Sequence, residues 1–331
     1  MPRSFLALVI AAGCGTPHGV QAGAEDTGSV AEPDPLQLPD VGGRDVVEGE
    51  DEEDTFVPPD VEAPVVLDPG SYPLWLEAGA FPPVEEHPNA LVVVPPGFDA
   101  TPPFGVVVYI HGHHNCVENI VRDEGEPCTP GGPVRNAYKL ATQLAASGKR
   151  TLLLCPEVRF DEASSDPGTL ADPGALAALL AEALAALDPR LQVADVTPVV
   201  VASHSGGYQA AAGIATKGGV PVSEVWLLDS LYGSISAYED WIASDLDSFD
   251  TQARRFADVY TDGGGTLGHS QDLADLVATW VPASALVDDR TSSTWPETTY
   301  HHGLLFKRSE LSHDGVPRYY FGQLLQTSGL P

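Results

Sequence analysis

The sequence predicts an α/β domain with a mainly parallel sheet and helices on both faces, and three observations carry that prediction. Near-continuous apolar runs stand at VVVYI (106–110), TLLLC (151–155) and PVVVAS (198–203), the pattern of strands buried on both sides. Segments of helical period lie between them, as the crossovers of parallel strands require. Hydrophobic residues make up 43% of the 331, enough to fill a core on each face of such a sheet.

Taken in chain order, apolar or period-2 segments predict eight strands: Tyr72–Glu77, Ala90–Val94, Gly105–Ile110, Arg150–Cys155, Pro198–Ser203, Glu224–Leu228, Arg255–Thr261 and His302–Lys307. Helices are predicted over Asn136–Ala146, Pro173–Leu187, Gly206–Lys217, Ala237–Ser244, Ser270–Trp280 and Pro317–Gln326. The second of these is rich in Ala and Leu, with Asp172 read as its N-cap and Pro173 at its first turn. No internal repeat is visible, and residues 63–331 suit one large domain.

The first 62 residues read differently. MPRSFLALVIAAGC (1–14) has Arg3, an apolar stretch from Phe5 to Ala12 and small residues before Cys14, the layout of a secretory signal. Ile-Ala-Ala-Gly-Cys resembles a bacterial lipobox, with Ala11 where Leu is usual. That resemblance implies a lipid on Cys14 and an exported, envelope-anchored protein. Residues 15–62 hold fourteen acidic side chains against Arg44 alone. They read as a disordered acidic tether, because so little apolar surface cannot offset the entropy of ordering. With −13 there and +1 on residues 1–14, the chain's −31 leaves −19 on residues 63–331. Such a surface repels phosphate backbones and excludes a nucleic-acid partner. No apolar stretch reaches the ~20 residues that span a bilayer, so lipid on Cys14 is the expected membrane contact.

Three cysteines remain. Cys116 and Cys128 flank an irregular loop and are expected to pair in an oxidising compartment. Cys155 ends a central strand and reads as a buried thiol behaving as a small hydrophobe.

The segment Val199-Val200-Val201-Ala202-Ser203-His204-Ser205-Gly206-Gly207-Tyr208 runs from an apolar strand into an Ala-rich helix, with Ser205 on the turn between them. It resembles the nucleophile elbow of the α/β-hydrolase superfamily, Ser203 standing where the first glycine of Gly-x-Ser-x-Gly is usual. The resemblance spans roughly residues 70–331 and implies an α/β-hydrolase fold with Ser205 as nucleophile. Ser203 should lie within the strand and point away. Upstream, Tyr109-Ile110-His111-Gly112-His113-His114 also follows a strand. In the superfamily a His-Gly pair there opens the loop that helps bind the oxyanion. The resemblance therefore assigns the donors to the backbone N–H groups of His113 and Gly206, with His111 and Gly112 shaping the loop. A rival reading takes His111, His113 and His114 as metal ligands, but no nearby Asp completes that pattern.

Superfamily order places the acid and then the histidine after the serine. His313 follows the last predicted strand and is the implied base; His301 and His302 fall at that strand's start, and His269 lies upstream. Two acids fit: Asp229 after the strand ending at Leu228, placed first, and Asp262 after the strand ending at Thr261. No cofactor is required. Arg159, Tyr208 and Tyr232 are candidate substrate contacts, although Arg159 has acidic neighbours to pair with. The expected partner is a small-molecule or envelope-derived acyl substrate, and the expected state is a monomer. A binding module on the same fold, with catalysis lost, is the alternative class.

Overall fold

The structure, a computed structural model, describes residues 64–82, 87–159, 166–291 and 303–331. The signal with Cys14 expected over 1–14, the acidic segment 15–62, and His301 and His302 lie outside the described residues.

Among the described residues nine strands are formed: β1 (Gly70–Leu74), β2 (Ala90–Val94), β3 (Phe104–Ile110), β4 (Thr151–Pro156), β5 (Val196–His204), β6 (Glu224–Leu228), β7 (Arg255–Thr261), β8 (Leu286–Asp289) and β9 (Leu304–Ser309). They make one sheet in the order β1-β2-β4-β3-β5-β6-β7-β9-β8. The β1–β2 and β2–β4 pairs are antiparallel, and every other pair is parallel. The predicted α/β class therefore holds, with nine strands where eight are expected. The additional one, β8, reads Leu-Val-Asp-Asp at the half-exposed sheet edge, where neither alternation nor an apolar run marks a strand.

The helices are α1 (Val117–Val121), α2 (Leu140–Ser147), α3 (Ala175–Leu187), α4 (Tyr208–Lys217), α5 (Ile235–Ala243), α6 (Asp247–Asp250), α7 (Leu267–Val277) and α8 (Gly315–Thr327). Alternate residues of the central strands feed two cores. Val106, Val108 and Ile110 of β3 pack with buried residues of α3, α4, α5 and α7. Val107 and Tyr109 pack with those of α1, α2 and α8. Each large side chain buried this way contributes about 1.5–3 kcal/mol, which is why these strands read as unbroken apolar runs.

Two helix starts differ from expectation. Asp172 is not the N-cap of α3: its N–H bonds Thr169 O at 2.9 Å and closes a preceding short turn, and the helix begins at Ala175. The segment from Asn136 does not start α2, because tertiary bonds claim its backbone: Tyr138 N–H donates to Ile120 O at 3.2 Å and Lys139 N–H to Arg122 O at 3.0 Å. The helix opens only at Leu140.

Strand order also locates a crevice. The chain leaves β3 for β4 on one side and β5 for β6 on the other, so the connections from these two paired strands diverge beyond their carboxyl ends, where open α/β sheets bind ligands.

Candidate active site

β5 ends at His204, and Ser205 turns the chain into a short 3-10 helix, Ser205–Gly207, that runs on into α4. Ser205 sits in left-handed backbone with φ +53°, a conformation costing roughly 1–2 kcal/mol for a residue with a Cβ. The surroundings hold it there. Ser230 Oγ donates to Ser205 O at 2.9 Å, and Ser203 Oγ lies 2.8 Å from Ser230 Oγ. Ser203, fully buried, thus braces the turn. Gly207 allows the close approach to β3, since a Cβ there would lie 2.7 Å from Ile110 O and 2.9 Å from His111 O.

The loop after β3 meets the elbow at Gly112. A Cβ on Gly112 would fall 2.4 Å from Ser205 Cβ and 2.9 Å from His204 O. Gly112→Ala is accordingly expected to displace the serine or the loop. A shift of about 1 Å at a reacting centre costs on the order of 10²-fold in rate. An active-site titration with circular dichroism as the folding control checks this; a fully active Gly112→Ala protein would contradict it. His111 is buried, with Nδ1 2.9 Å from Gly112 O and Nε2 2.6 Å from Glu157 Oε1. Burial alone lowers its pKa, but the Glu157 carboxylate and these hydrogen bonds outweigh burial and raise it above the ordinary value. Glu157 Oε2 also accepts Val117 N–H at 2.9 Å, tying the loop to the end of β4. A disulfide joins Cys116 and Cys128 just beyond, as expected, and Cys155 is a buried free thiol. His111 therefore spends its ring inside the protein, and no group of three or more metal-ligating side chains converges among the described residues.

His313 lies between β9 and α8. Its Nδ1 is 2.6 Å from Asp229 Oδ2. Asp229, at the end of β6 and fully buried, has φ +49° and donates its N–H to Val259 O at 2.6 Å. Its carboxylate also accepts Thr261 N–H at 3.1 Å, Thr261 Oγ at 2.8 Å and Thr266 Oγ at 2.5 Å. Burial pushes its pKa up, but the bonds from His313, Thr266 and Thr261 outweigh burial and hold it below the usual carboxylate range. Asp262 does not reach His313: it is exposed and pairs with Arg308 across the surface.

Ser205 and His313 share the walls of one cavity of about 310 Å³ with His113, His204, Arg135 and Asp314. Among the described residues nothing hydrogen-bonds the Ser205 hydroxyl; such contacts are often long in a ligand-free site and tighten when substrate binds. Tyr232 presents its ring to His313 edge-on, centroids 6.2 Å apart, with Tyr208 6.3 Å beyond it. His269 bonds Leu231 O, and Arg159 lies over Phe81; none of these four, the candidate substrate contacts Arg159, Tyr208 and Tyr232 included, lines the cavity.

Sequence reasoning missed a second layer. His204 lies against His313, ring centroids 4.3 Å apart and planes tilted by 36°, its Nδ1 3.0 Å from Tyr138 Oη. Tyr138 Oη in turn donates to Asp314 Oδ1 at 3.1 Å. Burial, followed by the neighbouring His313, holds the His204 pKa far down, so its ring stays neutral beside His313. Asp314 and His204 adjoin motif residues and were within reach of inspection; Tyr138 and Glu157 are brought in from distant segments.

No protein-family model and no curated protein matches the chain. Its structure is similar to a mutant of the feruloyl esterase module from Clostridium thermocellum complexed with sinapinate, at TM-score 0.50 and 10% identity over 80% of this chain and 87% of that one. Ferric enterobactin esterase from Salmonella typhimurium aligns at TM-score 0.44 and 10% identity, over 80% of this chain and 59% of that one. S-formylglutathione hydrolase from Staphylococcus aureus aligns at TM-score 0.42 and 11% identity, over 72% and 86%. Taken with the sheet order, the first of these gives the chain's fold: that of the α/β-hydrolase superfamily.

Proposed function

We propose that the protein is a serine hydrolase that cleaves an ester or amide with Ser205, His313 and Asp229, by way of an acyl-enzyme. One observation carries the reading: a serine held in left-handed backbone at a strand-to-helix turn shares a cavity with a histidine whose Nδ1 is 2.6 Å from a buried, multiply bonded carboxylate.

Ser205 Oγ attacks the substrate carbonyl carbon as His313 Nε2 takes the hydroxyl proton. Asp229 keeps the other ring proton on Nδ1 and stabilises the imidazolium. The carbonyl oxygen becomes an oxyanion facing the backbone N–H groups of His113 and Gly206, each such donor being worth roughly 3 kcal/mol. When the tetrahedral species collapses, the C–O or C–N bond to the leaving group breaks and His313 returns the proton to that group. Water, deprotonated by His313, then attacks the acyl carbon and releases Ser205 with a carboxylic acid. The signal-like residues 1–14 and the acidic residues 15–62 further support an exported protein tethered through lipid on Cys14; on this reading a domain starting near residue 63 acts as a monomer on small or envelope-derived acyl substrates.

A fluorophosphonate probe tests the reading on the full chain. The wild type should label covalently and Ser205→Ala should not. Folded wild-type protein that never labels would favour the alternative, a binding module on this fold.

A further inference from the structure

We infer that the cavity beside Ser205 receives a substrate bearing a carboxylate, gripped by the Arg135 guanidinium; this rests on the serine-hydrolase reading. The chain has 47 acidic residues against 16 basic ones, so an arginine readily finds a protein carboxylate. Arg122, Arg150, Arg190, Arg290 and Arg308 do; Arg254 and Arg255 bond hydroxyl, carbonyl or amide oxygens instead, and Arg318 is exposed on α8, away from the cavity. Arg135 is only half-exposed and lines the catalytic cavity, yet it forms no ion pair and no side-chain hydrogen bond among the described residues. Arg159, the sequence-based candidate for this role, is not part of that cavity.

The backbone that presents Arg135 is braced. Its N–H donates to Glu126 O at 3.0 Å, and the preceding Val134 bridges Pro127. The following carbonyl, Asn136 O, accepts Asn115 Nδ2 at 2.9 Å and Asn119 Nδ2 at 3.2 Å. The Cys116–Cys128 disulfide closes the loop that carries Glu126 and Pro127, the partners of Arg135 and Val134. A guanidinium offered from a fixed backbone has only its side-chain freedom to lose, and its planar fork spreads that loss over two parallel N–H···O bonds to a carboxylate.

The cavity's charge is consistent with this. Its one lining carboxylate, Asp314, spends Oδ2 on Asn136 Nδ2 at 2.6 Å and Oδ1 on Tyr138 Oη. The stacked rings of His113 and His114 form the adjoining wall. At physiological salt the chain's overall negative field is screened beyond about 8 Å, so selection of an anion has to come from a short-range contact such as this one. A cavity of about 310 Å³ is at the small end of ligand sites. The carboxylate therefore lies only a few bonds from the scissile carbonyl.

The experiment uses two matched ester pairs on the full chain: 4-methylumbelliferyl hemisuccinate against the butyrate, placing charge on the acyl side, and 4-carboxyphenyl acetate against phenyl acetate, placing it on the leaving group. The wild type should favour the charged member of one pair, and which pair identifies the side. Arg135→Gln should cut that kcat/KM ratio by about 10–100-fold, mainly through KM of the charged ester, as expected for a lost charge-assisted bond. Arg135→Lys should retain part of it. No charged-ester preference in either pair, or a ratio that Arg135→Gln leaves unchanged, overturns the inference. If no ester is turned over and the probe does not label, calorimetry of monomethyl succinate with the Ser205→Ala protein decides separately. Binding that Arg135→Gln removes keeps the carboxylate site while the hydrolase reading fails; no binding ends both.

Discussion

Asp229→Asn is expected to lower kcat/KM by about 10⁴-fold on any ester the wild type hydrolyses, the scale on which a triad carboxylate-to-amide change acts, whereas Asp262→Asn should leave it within about twofold, as removal of one exposed ion pair allows. The first effect follows from the hydrogen-bond geometry. Asn at 229 would place its carbonyl oxygen where Oδ1 accepts Thr261 N–H and Thr266 Oγ. Its NH₂ would then face His313 Nδ1, which now has a proton pointing at it. His313 must adopt the opposite tautomer, with the proton on Nε2, where a base for Ser205 is needed. The shape survives and the proton acceptor is lost. The second effect follows from exposure: Asp262 is 52% and Arg308 36% exposed. Steady-state kinetics on both variants, with circular dichroism as folding control, checks the pair. A crippled Asp262→Asn enzyme beside an active Asp229→Asn one would reverse the assignment of the acid.

The two aspartates were not separable in the sequence because each follows a predicted strand, and that is all a linear pattern can report. What separates them is three-dimensional: Thr261, the last residue of β7, and Thr266, just before α7, turn an N–H and two hydroxyls onto Asp229 and leave Asp262 to the surface. The elbow was legible because its requirements are local. A strand, a small residue on each side of the serine and a helix start all lie within ten positions. The placing of His313 beside Asp229 was legible because the terminal helix leaves a histidine after the last strand one place to be. The Arg135 wall was not, since a disulfide loop, a β-bridge and two asparagine side chains jointly carry it to the cavity. In the same way α2 starts late because contacts with α1 claim the preceding backbone, and propensity has no view of those contacts. Helix and strand periodicity reported the two buried faces; they could not report which polar groups meet between them.

Asp258→Asn is expected to stabilise the protein by about 4 kcal/mol above pH 7 and to change little at pH 4. Asp258 is fully buried in β7, between Ala257 and Val259, and neither of its oxygens has a hydrogen-bond partner among the described residues. Burial raises its pKa to about 7, the nearby Ser270 hydroxyl opposing this and the Asp229 carboxylate adding to it. The unfolded chain releases that proton near 3.9. Between these values unfolding liberates a proton, so stability falls as pH rises from about 4 to about 7 and is level on either side. A gap of roughly three pKa units at 1.36 kcal/mol each gives the figure of about 4 kcal/mol. The amide cannot ionise, so the variant lacks this pH term while keeping nearly the same shape. For a domain of this size the difference corresponds to a Tm higher by on the order of 10 °C above pH 7. Thermal unfolding of wild type and variant at pH 4, 6 and 8 reads it as a difference, which cancels the other titrating groups common to both. Curves that stay parallel across that range would mean the Asp258 carboxylate ionises in the folded protein as readily as in the unfolded chain.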